Sequence, residues 1–84
     1  MAKSFDISIA TPTKVLYEGS IESLVAPSAF GYLGVLADHA PLASKLTSGR
    51  IIMRERSGKT LILDCEGKGF LEVLKNTVTI LLNQ

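Results

Sequence analysis

The sequence has no tryptophan, one histidine and a single cysteine, Cys65, among its 84 residues. One cysteine cannot form a disulfide within the chain, and one histidine with one cysteine cannot supply the three or four nitrogen or sulfur ligands of a zinc site. The sequence also lacks a GxxxxGK[ST] loop, which would cradle nucleotide phosphates. We therefore expect no cofactor and no metal, and a protein kept in a reducing compartment.

Long apolar runs and an excess of charge of one sign are also missing. The longest apolar runs are far shorter than the roughly 20 residues that span a bilayer, and the first ten residues lack the pattern of a secretory signal. Nine basic and eight acidic residues give a net charge of +1. This balance predicts no nucleic-acid partner and membrane contact only through another protein. We interpret the basic cluster around Arg50 to Lys59 as a solvated strand face and hairpin tip, the alternative being a contact patch for an acidic partner.

The chain does have a high apolar content for its size. Hydrophobic residues make up 46% of the sequence. A chain of this length has room for one domain, residues 1–84, with one core. The surplus indicates apolar surface that a partner covers.

Alternating apolar and polar residues predict short strands along most of the chain. The clearest is 4–10, with Phe5, Ile7 and Ile9 on one side. Further strands are predicted at 15–17, 21–26, 50–56, 60–66, 70–74 and 77–82, with turns at 18–19, 57–58, 67–69 and 75–76. Cys65 falls in the core register, and residues 42–46 fit a strand or a helical turn. Seven or eight such strands favour an all-β sandwich or barrel.

Residues 27–41, PSAFGYLGVLADHAP, follow no simple period and predict a shaped loop of the kind that carries function. Phe30 and Tyr32 lie near its tip beside Gly31, where exposed aromatic rings indicate a covering partner. His39 is predicted to fix the following turn by hydrogen-bonding backbone, the alternative being a partner contact.

A set of motifs spread through the whole chain points to a family. The motifs are Thr11-Pro12 with Val15 and Glu18-Gly19, the strand 21–25, Pro27, Gly31, Gly34-Val35-Leu36, His39-Ala40-Pro41-Leu42, Gly69-Phe70-Leu71-Glu72-Val73, Asn76 and Val78-Thr79-Ile80. Together they closely resemble the N-terminal domain of the epsilon subunit of rotary F-type ATP synthases. The resemblance implies a flattened antiparallel β-sandwich of about ten short strands.

The resemblance also implies a function. It predicts a non-catalytic central-stalk subunit that binds the gamma subunit and the proteolipid ring and couples proton translocation to ATP synthesis. Contact with the catalytic alpha and beta subunits is then indirect, and no homo-oligomer is required. The implied location is the cytoplasmic face of the bacterial inner membrane, or its thylakoid equivalent, as a peripheral part of the complex.

Site residues follow from the resemblance position by position. It assigns the ring contact to Ser28, Ala29, Phe30, Gly31, Tyr32 and Leu33, and the gamma-facing side to Thr11, His39, Ala40 and Pro41. Tyr32 stands where the family commonly has an acidic residue, so an aromatic or apolar contact is expected. Lys68-Gly69 replaces the family's paired glycines, which predicts an altered turn. The family's C-terminal helical hairpin is not in the sequence, so the inhibition of ATP hydrolysis and the ATP site that it carries are not expected.

Two other classes of protein remain as alternatives. The first is a free-standing β-sandwich adaptor that grips a peptide or a sugar with Phe30 and Tyr32. The second is an enzyme that uses Cys65 and His39, although nucleophilic catalysis needs a thiolate beside a base and an oxyanion site. Co-purification separates the adaptor from a stalk subunit, and thiol labelling of the folded chain tests the enzyme.

Overall fold

The computed structural model describes residues 3–84 and contains seven strands and no helix in that range. The strands are β1 (Phe5–Ala10), β2 (Val15–Ile21), β3 (Ser23–Ser28), β4 (Gly31–Leu36), β5 (Leu42–Arg54), β6 (Thr60–Leu74) and β7 (Thr77–Leu82). No helix among the described residues is therefore able to cross a membrane. The first two residues of the predicted domain lie outside the described range.

The strands form one continuous sheet in the order β2-β1-β7-β6-β5-β3-β4. Every neighbouring pair is antiparallel except β1 and β7, which run parallel with Asp6 opposite Thr77 and Ala10 opposite Leu81. The sheet is therefore antiparallel, as the resemblance implies, apart from this one parallel pair. Short turns force their flanking strands to be antiparallel, whereas β1 and β7 stand at opposite ends of the chain and are free of that constraint.

The two long strands convert this sheet into a sandwich. Residues 42–46 of β5 pair with the part of β6 that also pairs with β7, and these segments form the first layer with β7, β1 and β2. Residues 48–54 of β5 pair with the earlier part of β6, and these segments form the second layer with β3 and β4. Between these parts the register shifts, and Gly67 and Lys68 of β6 face the single residue Thr47. Such a bulge bends both strands, so the sheet folds over and its inner faces meet. The shortest extent of the fold, 20 Å, accommodates two layers packed about 10 Å apart.

A single hydrophobic core joins the two layers. Ile7 and Ile80 enter it from the first layer, and Leu24 and Val35 enter it from the second. Cys65 also lies in this core and is 3% exposed, which confirms the predicted register. At the edge of the sheet Tyr17 Oη of β2 donates a hydrogen bond of 3.0 Å to Glu55 Oε2, beyond the end of β5.

Several predicted boundaries are wrong because tertiary contacts override local turn signals. The predicted turn at Glu18-Gly19 lies inside β2, which runs on to Ile21, so the predicted strand 21–26 is divided at Glu22. Gly19 stays in the strand because it leaves room for the Tyr17 ring, whose Oη would lie 2.7 Å from a Cβ placed there.

Other signals mark bends within strands. Gly67 and Lys68, from the predicted turn 67–69, form the bulge inside β6, whereas Gly69 is paired with Leu46. The undecided residues 42–46 belong to β5. There are seven strands rather than about ten because β5 and β6 each pass through both layers without a break. The turn at Lys75-Asn76 is confirmed, with φ of 51° and 59°, the left-handed pair that closes a two-residue hairpin.

Candidate functional site

Residues 27–36 form a hairpin, so the predicted irregular loop is wrong over most of its length. β3 and β4 pair from Ser23 opposite Leu36 to Ser28 opposite Gly31, and Pro27 lies within β3 instead of ending it. The turn is Ala29-Phe30. Ser28 Oγ donates to the Gly31 carbonyl and accepts from Phe30 N at 3.3 Å, and the φ of 113° at Gly31 suits glycine. The six residues assigned to the ring contact thus lie together as one hairpin tip.

The two aromatic rings of this tip are held differently. Phe30 is 100% exposed, whereas Tyr32 is 63% exposed and lies against the sheet. Tyr32 Oη accepts a hydrogen bond of 3.4 Å from Arg50 N. A Cβ at Gly49 would lie 2.8 Å from both Tyr32 Oη and Pro27 Cβ, and Gly49 has a φ of 155°. Tyr32 is therefore supported on one side and open on the other.

The hairpin tip carries no charge of its own. Residues 28–33 read SAFGYL. Ala29 N donates to the carbonyl of Lys45 at 3.2 Å, and Lys45 lines the groove beside Phe30. The tip is thus an aromatic and apolar surface with one lysine beside it.

The turn that contains His39, Ala40 and Pro41 joins β4 to β5 at the other end of the sandwich. His39 Nδ1 lies 2.7 Å from the Ala40 carbonyl, which confirms the predicted hydrogen bond to backbone in this turn. The turn is anchored by Asp38, whose N donates to Asn76 Oδ1 at 2.7 Å and whose carboxylate pairs with Lys3 at 3.1 Å.

Thr11 lies apart from the His39 turn. It follows β1, where its Oγ1 accepts hydrogen bonds from Thr13 N and Lys14 N at 3.3 and 3.2 Å. Asn76, which holds the His39 turn, bonds the carbonyl of Ser4 at the other end of β1. A six-residue strand is about 20 Å long. One partner that contacts both predicted gamma-facing sites must therefore extend along the full length of β1.

The outer face of the first layer carries exposed apolar residues that were not predicted from the sequence. Phe70 and Leu81 lie opposite each other on β6 and β7 and are 45% and 54% exposed. With Pro12 they line an apolar groove of about 380 Å³. Phe70 shares the outward face of β6 with Glu72, and Leu81 shares the outward face of β7 with Thr79. Alternation predicts polar residues on these faces, so the two apolar exceptions could have been found from the sequence.

The described residues offer little to catalysis. Residues 3–84 contain no group of three histidine, cysteine or acidic side chains that could hold a metal ion. Cys65 is buried opposite Gly49, in the middle of β5, whereas His39 lies in the turn before that strand, so the thiol has no histidine base beside it. Burial raises the pKa of Tyr17, and its hydrogen bond to Glu55 raises that pKa further. This pair links β2 to the residue after β5, at the sheet edge.

Residues 4–84 match the family described as ATP synthase, Delta/Epsilon chain, beta-sandwich domain. The ATP synthase epsilon chain of Leptospira borgpetersenii is 42% identical over 81 residues, covering 95% of this chain and 61% of that protein. The chloroplastic ATP synthase epsilon chain of Emiliania huxleyi is 39% identical over 80 residues, covering 95% and 60%. The chain thus spans about three-fifths of the length of these relatives.

Solved structures agree on the fold. A chain of the Euglena gracilis mitochondrial ATP synthase, in a cryo-EM structure containing OSCP, F1 and the c-ring, superposes with a TM-score of 0.89. It is 19% identical, and the match covers 96% of this chain and 51% of that one. The family match confirms the β-sandwich and the resemblance found in the sequence. The chain belongs to the family of ATP synthase delta and epsilon chain β-sandwich domains.

Proposed function

We propose that this chain is a non-catalytic part of the central stalk of an F-type ATP synthase. In this role it binds the gamma subunit and the proteolipid ring, and it helps to couple proton translocation to ATP synthesis. It reaches the membrane only through the ring, on the cytoplasmic face of a bacterial inner membrane or its thylakoid equivalent, and its contact with the catalytic subunits is indirect. Support comes from the family match and from relatives named ATP synthase epsilon chain.

The observation that carries the ring contact is the exposed hairpin tip. A phenylalanine that is 100% exposed contributes almost nothing to the stability of the free domain, since burial is what makes an apolar side chain stabilising. Tyr32 beside it is held rigid by Pro27 and Gly49, so it loses little conformational freedom on binding. An exposed aromatic pair at a protruding turn, with one of its rings held in place, is a composition typical of an interface centre.

We propose the His39 turn and Thr11 as the gamma contact. Both are ordered by local hydrogen bonds, and both adjoin β1. A gamma surface lying along β1 could cover the two ends together and leave the hairpin tip free for the ring.

The test separates binding from folding. We expect Phe30→Ala to leave thermal unfolding of the free chain unchanged and to weaken proton pumping by vesicles that carry the assembled enzyme. Truncating an aromatic anchor at an interface centre costs about 2 kcal/mol, roughly thirtyfold in affinity. Tyr32→Ala should weaken pumping similarly, with a small loss of stability because it uncovers Pro27.

Ile62→Ala is the matched control, since Ile62 is 56% exposed but lies on β6, away from the tip. It should change neither measurement. If both tip variants unfold much earlier while pumping stays intact, the rings stabilise the fold and the ring contact lies elsewhere. Co-purification with the gamma subunit tests the stalk assignment as a whole.

A further inference from the structure

β4 is an unprotected edge of the sheet. It stands last in the strand order and pairs with β3 alone, so no strand among residues 3–84 takes its outward N–H and C=O groups. Edge strands in soluble proteins are usually protected by charges, proline or bulges. β4 reads GYLGVL and has none of these.

The opposite edge, β2, shows such protection. It carries Glu18, and its ladder with β1 shifts register between Ile9 and Ala10. Its Tyr17 is also tied to Glu55 by the hydrogen bond described above. The two edges of one sheet therefore differ in their readiness to accept another strand.

An apolar groove opens beside the inner face of β4. It has a volume of about 520 Å³, and its lining includes Phe30 and Leu33 of the hairpin, Leu42 and Lys45 of β5, and Phe70 of β6. Leu33 and Val35 are the inward-facing residues of β4, opposite Ala26 and Leu24. Leu33 is the residue of β4 that lines the groove. Because side chains alternate along a strand, a strand added to β4 would direct the side chain that pairs with Leu33 toward this groove.

We propose that β4 binds an extended segment of a partner polypeptide by strand addition. The row of backbone groups provides hydrogen bonds to the segment, and the groove selects an apolar residue at the position that pairs with Leu33. Lys45 is the only charged residue lining the groove, and residues 28–36 contain no acid. The segment therefore carries an acidic residue that meets Lys45.

Charge also distinguishes this partner from a second copy of the chain. A copy pairing through its own β4 would bring no acidic residue to Lys45. The inference depends on the proposed function in one respect, which is that the partner is found in the assembled ATP synthase.

Hydrogen exchange read by mass spectrometry tests the inference on the isolated chain and on the assembled enzyme. The outward amides of β4 should exchange at least about a hundredfold more slowly in the assembly, since a new backbone hydrogen bond must break before exchange. The exposed loop 56–59 between β5 and β6 lies at neither proposed contact. It serves as the internal control and should keep its exchange rate.

Two variants sharpen the test. Gly34→Lys adds a charge to the edge strand, and a Cβ at Gly34 meets no atom within 4 Å, so the fold should tolerate it while the β4 protection is lost. Lys45→Glu should also reduce protection, whereas Lys59→Glu, in the exposed loop between β5 and β6, should not.

Three results would overturn the inference. Unchanged β4 exchange in the assembly would show that no strand is added. Protection in the isolated chain that grows with its concentration would assign the edge to a second copy. A chain that fails to co-purify with the gamma subunit would refute the proposed function before any exchange is measured, and the inference with it.

Discussion

Replacing Ile7 with alanine should remove a large part of the stability of this domain. Ile7 is 3% exposed and lies in β1 between Gly19 of β2 and Val78 of β7. Its side chain is flanked by strands on both sides, so the neighbours cannot easily close the space that the truncation leaves. Loss of a buried isoleucine side chain costs about 2 to 4 kcal/mol, from transfer and cavity terms together. A domain of this size has a total stability of roughly 4 to 13 kcal/mol.

Urea unfolding of the wild type and variant measures this loss. For a domain of 60–100 residues, each kcal/mol moves the melting temperature by roughly 4 to 8 °C, so thermal melting gives a second estimate. Ile62→Ala is the matched control, because the same atoms are removed from a side chain that is 56% exposed. It should cost less than about 0.5 kcal/mol.

Two results would refute the reasoning. A loss below about half a kcal/mol for Ile7→Ala would mean that β1 is peripheral or that its register is wrong. Equal losses for the two variants would mean that the outer face carrying Ile62 is covered in the free chain, for example by self-association.

Two further predictions concern the edge contact and regulation. Tyr17→Phe should cost about 1 kcal/mol at neutral pH through loss of the hydrogen bond to Glu55. The pKa of Tyr17 in the folded state is raised above 10.0. Its stabilising contribution is therefore present below pH 10 and is lost as the pH rises through the folded value. Urea unfolding should accordingly show that Tyr17→Phe loses less free energy of unfolding at alkaline pH than the wild type does. Residues 1–84 added alone to the catalytic complex should not inhibit ATP hydrolysis, because residues 3–84 contain no helix and the resemblance assigns inhibition to a helical hairpin. Strong inhibition that persists after proton coupling is relieved would contradict this.

Sequence patterns predicted the parts of the fold that depend on local chemistry. The alternation of β1 determines its buried face whichever strand lies beside it, so Phe5, Ile7 and Ile9 were assigned correctly. Cys65 could be placed for the same reason. Lys75-Asn76 forms a turn because asparagine tolerates the left-handed conformation required there.

The rest depended on contacts distant in sequence. Gly19 is a strand residue because the ring of Tyr17 lies over it, and no local pattern distinguishes that role from a turn. Alternation does not reveal which strands cross between layers, so the length of β5 and β6 was missed. The β3–β4 hairpin was obscured because Pro27 and two glycines interrupt the period that would have marked it.

The candidate site shows the same division. The six positions proposed for the ring contact are consecutive in sequence, so one hairpin necessarily keeps them together. The four positions proposed for the gamma contact come from two separate segments, and only the sheet order shows that β1 separates them by its whole length. Consecutive residues can therefore be grouped from the sequence alone, whereas the shape of a surface composed of distant segments requires the structure.

The support of Tyr32 explains how this chain can differ from its family at the hairpin tip. A tyrosine in place of an acidic residue needs space for its ring, and that space comes from Gly49, where a side chain would collide with Tyr32 Oη and Pro27. The hydroxyl is then satisfied by Arg50 N, so no polar group of the ring is left without a partner. An aromatic surface gains affinity by burial, which salt screens little, whereas an exposed carboxylate acts through charge that salt does screen. For the proposed ring contact, the physical basis at this position is therefore apolar burial instead of charge.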